Sequence, residues 1–427
     1  MNGPALVPYG AADAARARLL RAFLGAGLVF MLVPGTLLGV MNLLQISGRG
    51  SAAFVSTAWI QAHGHAQVFG WVGSFMLGIG FYSVPAHRTG ITGLPRAWAA
   101  WAMWTSGVAL HWVATVDAWH WRVLLPASSV LELAAFLLFL QAVAGHRVAA
   151  DGAGAPSSRV WMAGVLVGTA GWIVALVLNV AAAATLSIRG NAPVLAHDLD
   201  QRLLTLLTWG VFAPFIWGFS ARWMPLLLGL RPLKRRLFLA GLAAALLGVA
   251  LMFAGRTTAA TAALAGAAVL ATSALRLLEP ASGRARTRGV DPGFPRYVRL
   301  AYVWLIVAAA LGVAAARWDT SGGFWGASRH AFTVGFTAAM IFAVGQRMLP
   351  GFAGPTALWS PRLMASGLAL LMVGCSLRVA GEVLAYQDYA RWAWSVLPAS
   401  AVVELAAVTL FAVNMFATLW ARRTARA

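Results

Sequence analysis

From 160 to 187 the chain reads VWMAGVLVGTAGWIVALVLNVAAAATLS, without one charged residue. A helix of that length reaches about 40 Å, more than the ~30 Å of hydrocarbon in a bilayer. The stretch therefore reads as a membrane span. Working outward, eleven more apolar runs with few charges cover roughly 19–44, 58–84, 95–115, 123–145, 203–221, 237–255, 257–278, 299–316, 325–349, 363–385 and 393–420. The predicted fold is all-α: a polytopic membrane protein of about twelve transmembrane helices, forming one integral membrane domain over 1–427. The seventh and eighth runs are separated only by Arg256 and the threonines after it, so their division is the least marked.

Composition agrees. The chain is 60% hydrophobic and only 10% charged, whereas a soluble domain carries about a quarter charged residues. A water-soluble enzyme is excluded. The net charge of +20 would suggest nucleic acid in a soluble protein, but here the arginines sit in short connections between spans, where they orient helices, and no nucleic-acid partner is expected. Cys375 is the only cysteine, so a disulfide framework and a thiolate cluster are both excluded. Any metal must be held by His, Met, carboxylate or backbone. The first apolar run is much longer than a signal-peptide core and is read as a retained helix.

The basic residues set an orientation. Of the 32 Lys and Arg side chains, 23 fall in the termini and even-numbered loops and 8 in the odd-numbered loops, with Arg378 inside a span. By the positive-inside rule, both termini face the cytoplasm.

Two distant segments repeat. Leu125 to Ala135 reads LPASSVLELAA and Leu397 to Ala407 reads LPASAVVELAA, aligning Glu132 with Glu404; His65 to Gly70, HAQVFG, matches His330 to Gly335, HAFTVG, and Pro85 and Pro350 follow at the same distance. Helices two to four (unit one, about 58–145) thus correspond to helices ten to twelve (unit two, about 325–420). The offset is an even number of helices, so the units are expected to run parallel, related by an axis along the membrane normal.

The repeat points to chemistry because it pairs side chains that are costly in hydrocarbon. His63, His65, His111 and His330 all fall toward the outer ends of their helices, and neutral imidazole is a good ligand for copper and haem iron. His63 and His65 are two residues apart and project about 200° from one another on a regular helix. The repeat selects His65 with His330 as ligands, His63 aligning with Ser328; His63 and His111 are further candidates. His87, His120, His146 and His197 read as solvated. Glu132 and Glu404 lie deep in their helices, where a carboxylate must be neutral or paired. Arg378 aligns with His111 and has Glu382 one turn on. These three serve either as a proton relay or cofactor-propionate contact, or as interhelical hydrogen-bonding groups. Gly70, Ser74 and Gly78 form a small-residue stripe suited to helix packing, or to a flat macrocycle, and most of the 20 tryptophans read as an interfacial belt or lipid-facing bulk.

The segment Trp59 to Trp71, WIQAHGHAQVFGW, resembles the H-A-H-E-M-x-F-G-F motif of the NnrS family, and Trp217 to Gly229, WGFSARWMPLLLG, is similar to its W-G-F-S-x-R-W-x-P-x-x-L-G stretch. HAFTVG at His330, with the run to Gly354, resembles its second-half H-A-L-T-V-G and R-x-x-L-G-H-T-G-R motifs; Ala66, Gln67 and Phe352 stand where those motifs have Glu, Met and His. The resemblance implies a multi-pass protein of the bacterial cytoplasmic membrane with about twelve helices. It implies haem and copper as cofactors, a role in nitric oxide tolerance or denitrification-linked stress, and nitric oxide or another small diatomic as ligand, with His63, His65 and His330 matching motif positions. Outer-end histidines on helix two also resemble those of haem-copper oxidase subunits. The competing class is a twelve-helix secondary transporter for a metal or an anion, which a parallel repeat suits equally. A non-catalytic membrane scaffold is a third.

Overall fold

The computed structural model describes residues 11–51, 55–83, 93–144, 160–353 and 357–420. Pro85, His87 and His146 lie outside the described residues. Among the described residues twelve long helices are formed: α1 (11–49), α2 (57–83), α3 (Leu94–Val116), α4 (Trp121–Ala144), α5 (Trp161–Arg189), α6 (His197–Leu228), α7 (Arg235–Phe253), α8 (Thr257–Ala274), α9 (Phe294–Trp318), α10 (323–353), α11 (Pro361–Tyr386) and α12 (Ala393–Trp420). Ten of them are apolar and long enough to cross a membrane. The other two, α2 and α3, are diluted by His, Gln, Gly and Arg residues, but α3 alone spans about 34 Å.

Local chemistry sets the ends. Gly50 and Gly229, both at positive φ, close α1 and α6 with left-handed caps. Pro295 and Pro361 sit in the first turns of α9 and α11, where no amide hydrogen is needed, and Ser360 Oγ accepts from Leu363 N at 3.2 Å. The eighth helix stops at Ala274, short of the 278 read from hydropathy. Arg276 turns the chain at φ +57 and bonds Glu279 at 2.8 Å, a reversal that a run of leucines conceals. Ala254 to Arg256 separates α7 from α8, which pack as an antiparallel hairpin, as do α3 with α4 and α11 with α12.

Helices α6 and α10 are the most enclosed of the ten apolar spans. Each contains π-helical turns, at Leu206–Phe212 in α6 and at Ala331–Ala338 and Ile341–Gly345 in α10; α1 and α2 carry others at Met31–Leu37 and Ala66–Gly73. Hydrophobic periodicity did not reveal them. Of the 20 tryptophans, five, Trp71, Trp104, Trp172, Trp209 and Trp217, lie in the protein core, where interlocking aromatic rings fill the space around α2, α5 and α6, and the others keep exposed surface. The stripe on α2 is covered by helix α1: a Cβ on Gly70 would stand 2.7 Å from Phe30 Cβ, and one on Gly78 2.7 Å from Phe23 Cβ. It is a packing face, with no room for a macrocycle.

Candidate functional site

The N-terminal segment of α2 carries His63 and His65 on opposite sides, as their spacing requires. His63 faces α1. Its Nδ1–H donates to the Gly35 carbonyl at 2.8 Å, and its ring lies where a side chain on Gly39 would be, a Cβ there falling 2.6 Å from Cε1. The glycine makes room for the imidazole. Since the carbonyl can only accept, Nδ1 carries the proton and a neutral ring keeps its lone pair on Nε2.

His330, in α10, is held in the same sense. Its Nδ1–H is shared between the Gly326 carbonyl at 3.0 Å and Glu382 Oε2 at 2.9 Å, again leaving Nε2 as the basic nitrogen. Glu382 is itself paired through Oε1 with Arg378 at 3.1 Å. His63, His330 and Arg378 stand within electrostatic range of one another, and Arg378 and His330 act through their charge on Glu404. Arg378 Nε and Glu404 Oε1 are buried atoms without a hydrogen-bond partner, so this cluster has polar capacity left over.

His65 enters a second cluster on the other side of α2. Its Nε2 is 2.7 Å from Glu132 Oε1, and Asn179 of α5 bonds Ser129 Oγ at 3.2 Å and approaches Glu132 Oε2 at 3.4 Å. The His65 ring is stacked on His111 with centroids 3.5 Å apart and planes 1° from parallel, and on Phe69 at 4.2 Å. The π-helical turn after His65 is filled by Trp104, whose Nε1 donates to the Phe69 carbonyl at 3.1 Å, and Trp172 packs beyond it at 6.1 Å.

The sequence-derived candidates thus divide into two groups: His63, His330, Arg378 and Glu404 in one, His65, His111 and Glu132 in the other. The ion pair expected between Arg378 and Glu382 is formed. Three features escaped the sequence reading: Glu382 as the acceptor for His330, the Gly35 carbonyl as the acceptor for His63, and the space at Gly39. The nearest signal was Glu382 itself, a carboxylate in a span one turn from an arginine.

Two imidazoles, each with Nδ1 tethered and Nε2 basic, beside a buried arginine with a free donor, are residues that would suit a haem with its charged propionates. Copper fares differently. Among the described residues no group of three or more His, Cys, Asp or Glu side chains is arranged to hold a metal ion, and the parallel stack of His65 and His111 does not aim two nitrogens at one point.

The sequence model of the NnrS protein family matches residues 21–423, nearly the whole chain. No curated protein matches it. Among solved structures, one described as a heme-copper terminal oxidase dimer is similar in fold, with a TM-score of 0.65 and 13% sequence identity over 96% of this chain and 84% of that one.

Proposed function

We propose that this chain, which belongs to the NnrS family, is a haem-binding protein of the bacterial cytoplasmic membrane in which His63 and His330 would hold the haem, and that it acts in nitric oxide tolerance. The observation that carries the reading is the matched tethering of the two rings, Nδ1 on Gly35 O at 2.8 Å in one and on Gly326 O and Glu382 in the other. Ligand histidines characteristically donate the second ring nitrogen to a carbonyl or carboxylate, which fixes tautomer and orientation. The likeness in fold to a structure described as a heme-copper terminal oxidase is in keeping with this.

When bound, haem would supply a one-electron couple. The chain's own residues do the rest. Gly35 and Glu382 would hold the rings, and Arg378 would offer its unpaired Nε to a propionate. On the other side of α2, where Phe69, Trp104 and Trp172 pack, His65 is assigned with Glu132 and His111 to a polar interhelical brace. Unit two, which carries His330, Arg378, Glu382 and Glu404, and unit one, which carries His65, His111 and Glu132, are proposed as the two parallel halves of an internal repeat with different tasks. Copper is assigned no ligands.

Purification of the full-length chain with a pyridine haemochrome assay and metal analysis tests the reading. Haem in the wild type and its loss from both His63→Ala and His330→Ala are expected. A colourless wild-type protein would overturn the proposal and leave the transporter.

A further inference from the structure

The two clusters draw their carboxylates from different helices. His65 is met by Glu132 of α4, whereas His330 is met by Glu382 of α11, and Glu404 keeps one oxygen unpartnered. The helix registers are nonetheless alike. A Cβ on Gly107 of α3 would stand 2.9 Å from Glu132 Cγ, and one on Gly374 of α11 would stand 2.6 Å from Glu404 Cγ. Four and eight residues after these glycines come His111 and Thr115 in α3, and Arg378 and Glu382 in α11. Where the first half has a histidine and a threonine, the second has a guanidinium and a carboxylate locked together.

We infer that Glu382, anchored by Arg378, is a positioning residue that would make His330 the more strongly donating of the two ligand histidines and thereby hold the cofactor's potential down; this rests on the haem reading above. A hydrogen bond from Nδ1–H to a carboxylate gives the imidazole anionic character, which favours the more positively charged ferric ion, and a bond to a neutral carbonyl does so less. His63 has only the Gly35 carbonyl. His330 has the carboxylate at 2.9 Å. Room for it depends on Gly326, where a Cβ would press to 3.2 Å from Glu382 Oε1. Arg378, on that same oxygen at 3.1 Å, fixes the carboxylate's orientation and offsets the cost of burying its charge.

The test is a spectroscopic redox titration of the full-length protein in detergent, with haem content measured alongside. Glu382→Gln, which keeps the shape and loses the charge, is expected to retain haem with a midpoint potential shifted positive of wild type. Glu382→Asp should restore part of that shift, and Glu382→Ala should lose roughly 10–100-fold in haem affinity. Gly326→Ala, which crowds the carboxylate without altering it, should shift the potential in the same direction and serves if Glu382→Gln does not fold. A wild type without haem would overturn the haem reading, and this inference with it. Haem-loaded Glu382→Gln or Gly326→Ala at the wild-type potential, even if less thermally stable, would overturn this inference alone.

Discussion

His63 and His65 are two positions apart, and the helix sends them to different neighbours, one to α1 and the other to α3 and α4. The divergence was legible, because it follows from 100° per residue. Which of the two meets a ligand was not, because the answer depends on what occupies the facing helices: a carbonyl and a glycine on one side, a carboxylate on the other. The division makes the two alanine variants opposites. His65→Ala is expected to keep the absorption of any bound haem while stranding the fully buried Glu132, with a stability loss of about 1–3 kcal/mol. His63→Ala is expected to lose the haem. Thermal unfolding and absorption spectra of both variants check this, and loss of haem from His65→Ala with retention in His63→Ala would reverse the assignment. The acceptor for His330 was hidden for a related reason. Residues 330 and 382 meet only because α10 packs on α11, and no spacing rule on one helix reports that.

At the level of the helices, hydropathy located all twelve, and the caps and prolines explain most of their limits. What it could not show is the π-helical turns that follow His65 and His330 directly. Such a turn depends on whether a neighbour can fill the space beside it, as Trp104 does in α2 and Trp304 beside Gly335 in α10. Glycines on these faces are therefore unequal. Gly78→Ala would drive a methyl to 2.7 Å from Phe23 Cβ, an atom close to the backbone of a packed helix, and is expected to destabilise by about 1–3 kcal/mol. Gly266 of α8 has nothing within 4 Å of its would-be Cβ. Gly266→Ala is accordingly expected to be neutral or to stabilise by about 0.5–1 kcal/mol. Unfolding midpoints of the two variants in one detergent decide it, and equal midpoints would mean that the α1–α2 contact gives way easily.

At the level of the whole molecule, the helices are tied together outside the membrane by loops that read only as basic. Ser282 N and Gly283 N donate to the Gly229 carbonyl at 2.9 and 3.0 Å, and Arg286 N to Leu227 O at 2.8 Å. Glu279 bridges Lys234 at 2.9 Å and Arg276 at 2.8 Å. Hydrogen bonds from Lys234 first and Arg276 second hold its carboxyl below the ordinary value of 4.5. A lowered value in the folded state means that the stabilising contribution is present above the unfolded-state value and is lost as pH falls through the folded one. Glu279→Gln should thus flatten the fall in melting temperature below about pH 4.5, the ordinary carboxylate range. An unchanged acid limb would show that this bridge does not constrain unfolding.

The same loops decide which way the molecule faces, and with it where the histidine clusters lie. With 23 of 32 basic residues in the termini and even-numbered loops, the cost of translocating them should leave the segments around Arg231 and Ser282 in the cytoplasm and those around Ala192 and Arg256 outside. His63 and His330 lie toward the ends of α2 and α10 that join the odd-numbered loops, so their cluster would then open toward the outer face. The native Cys375 is buried, which keeps the background low for thiol labelling. In intact cells a membrane-impermeant maleimide is expected to label Ala192→Cys and Arg256→Cys and to spare Arg231→Cys and Ser282→Cys until the membrane is opened. The reverse pattern would invert the topology and place the histidines near the cytoplasm, where haem delivery and electron supply would have to come from within.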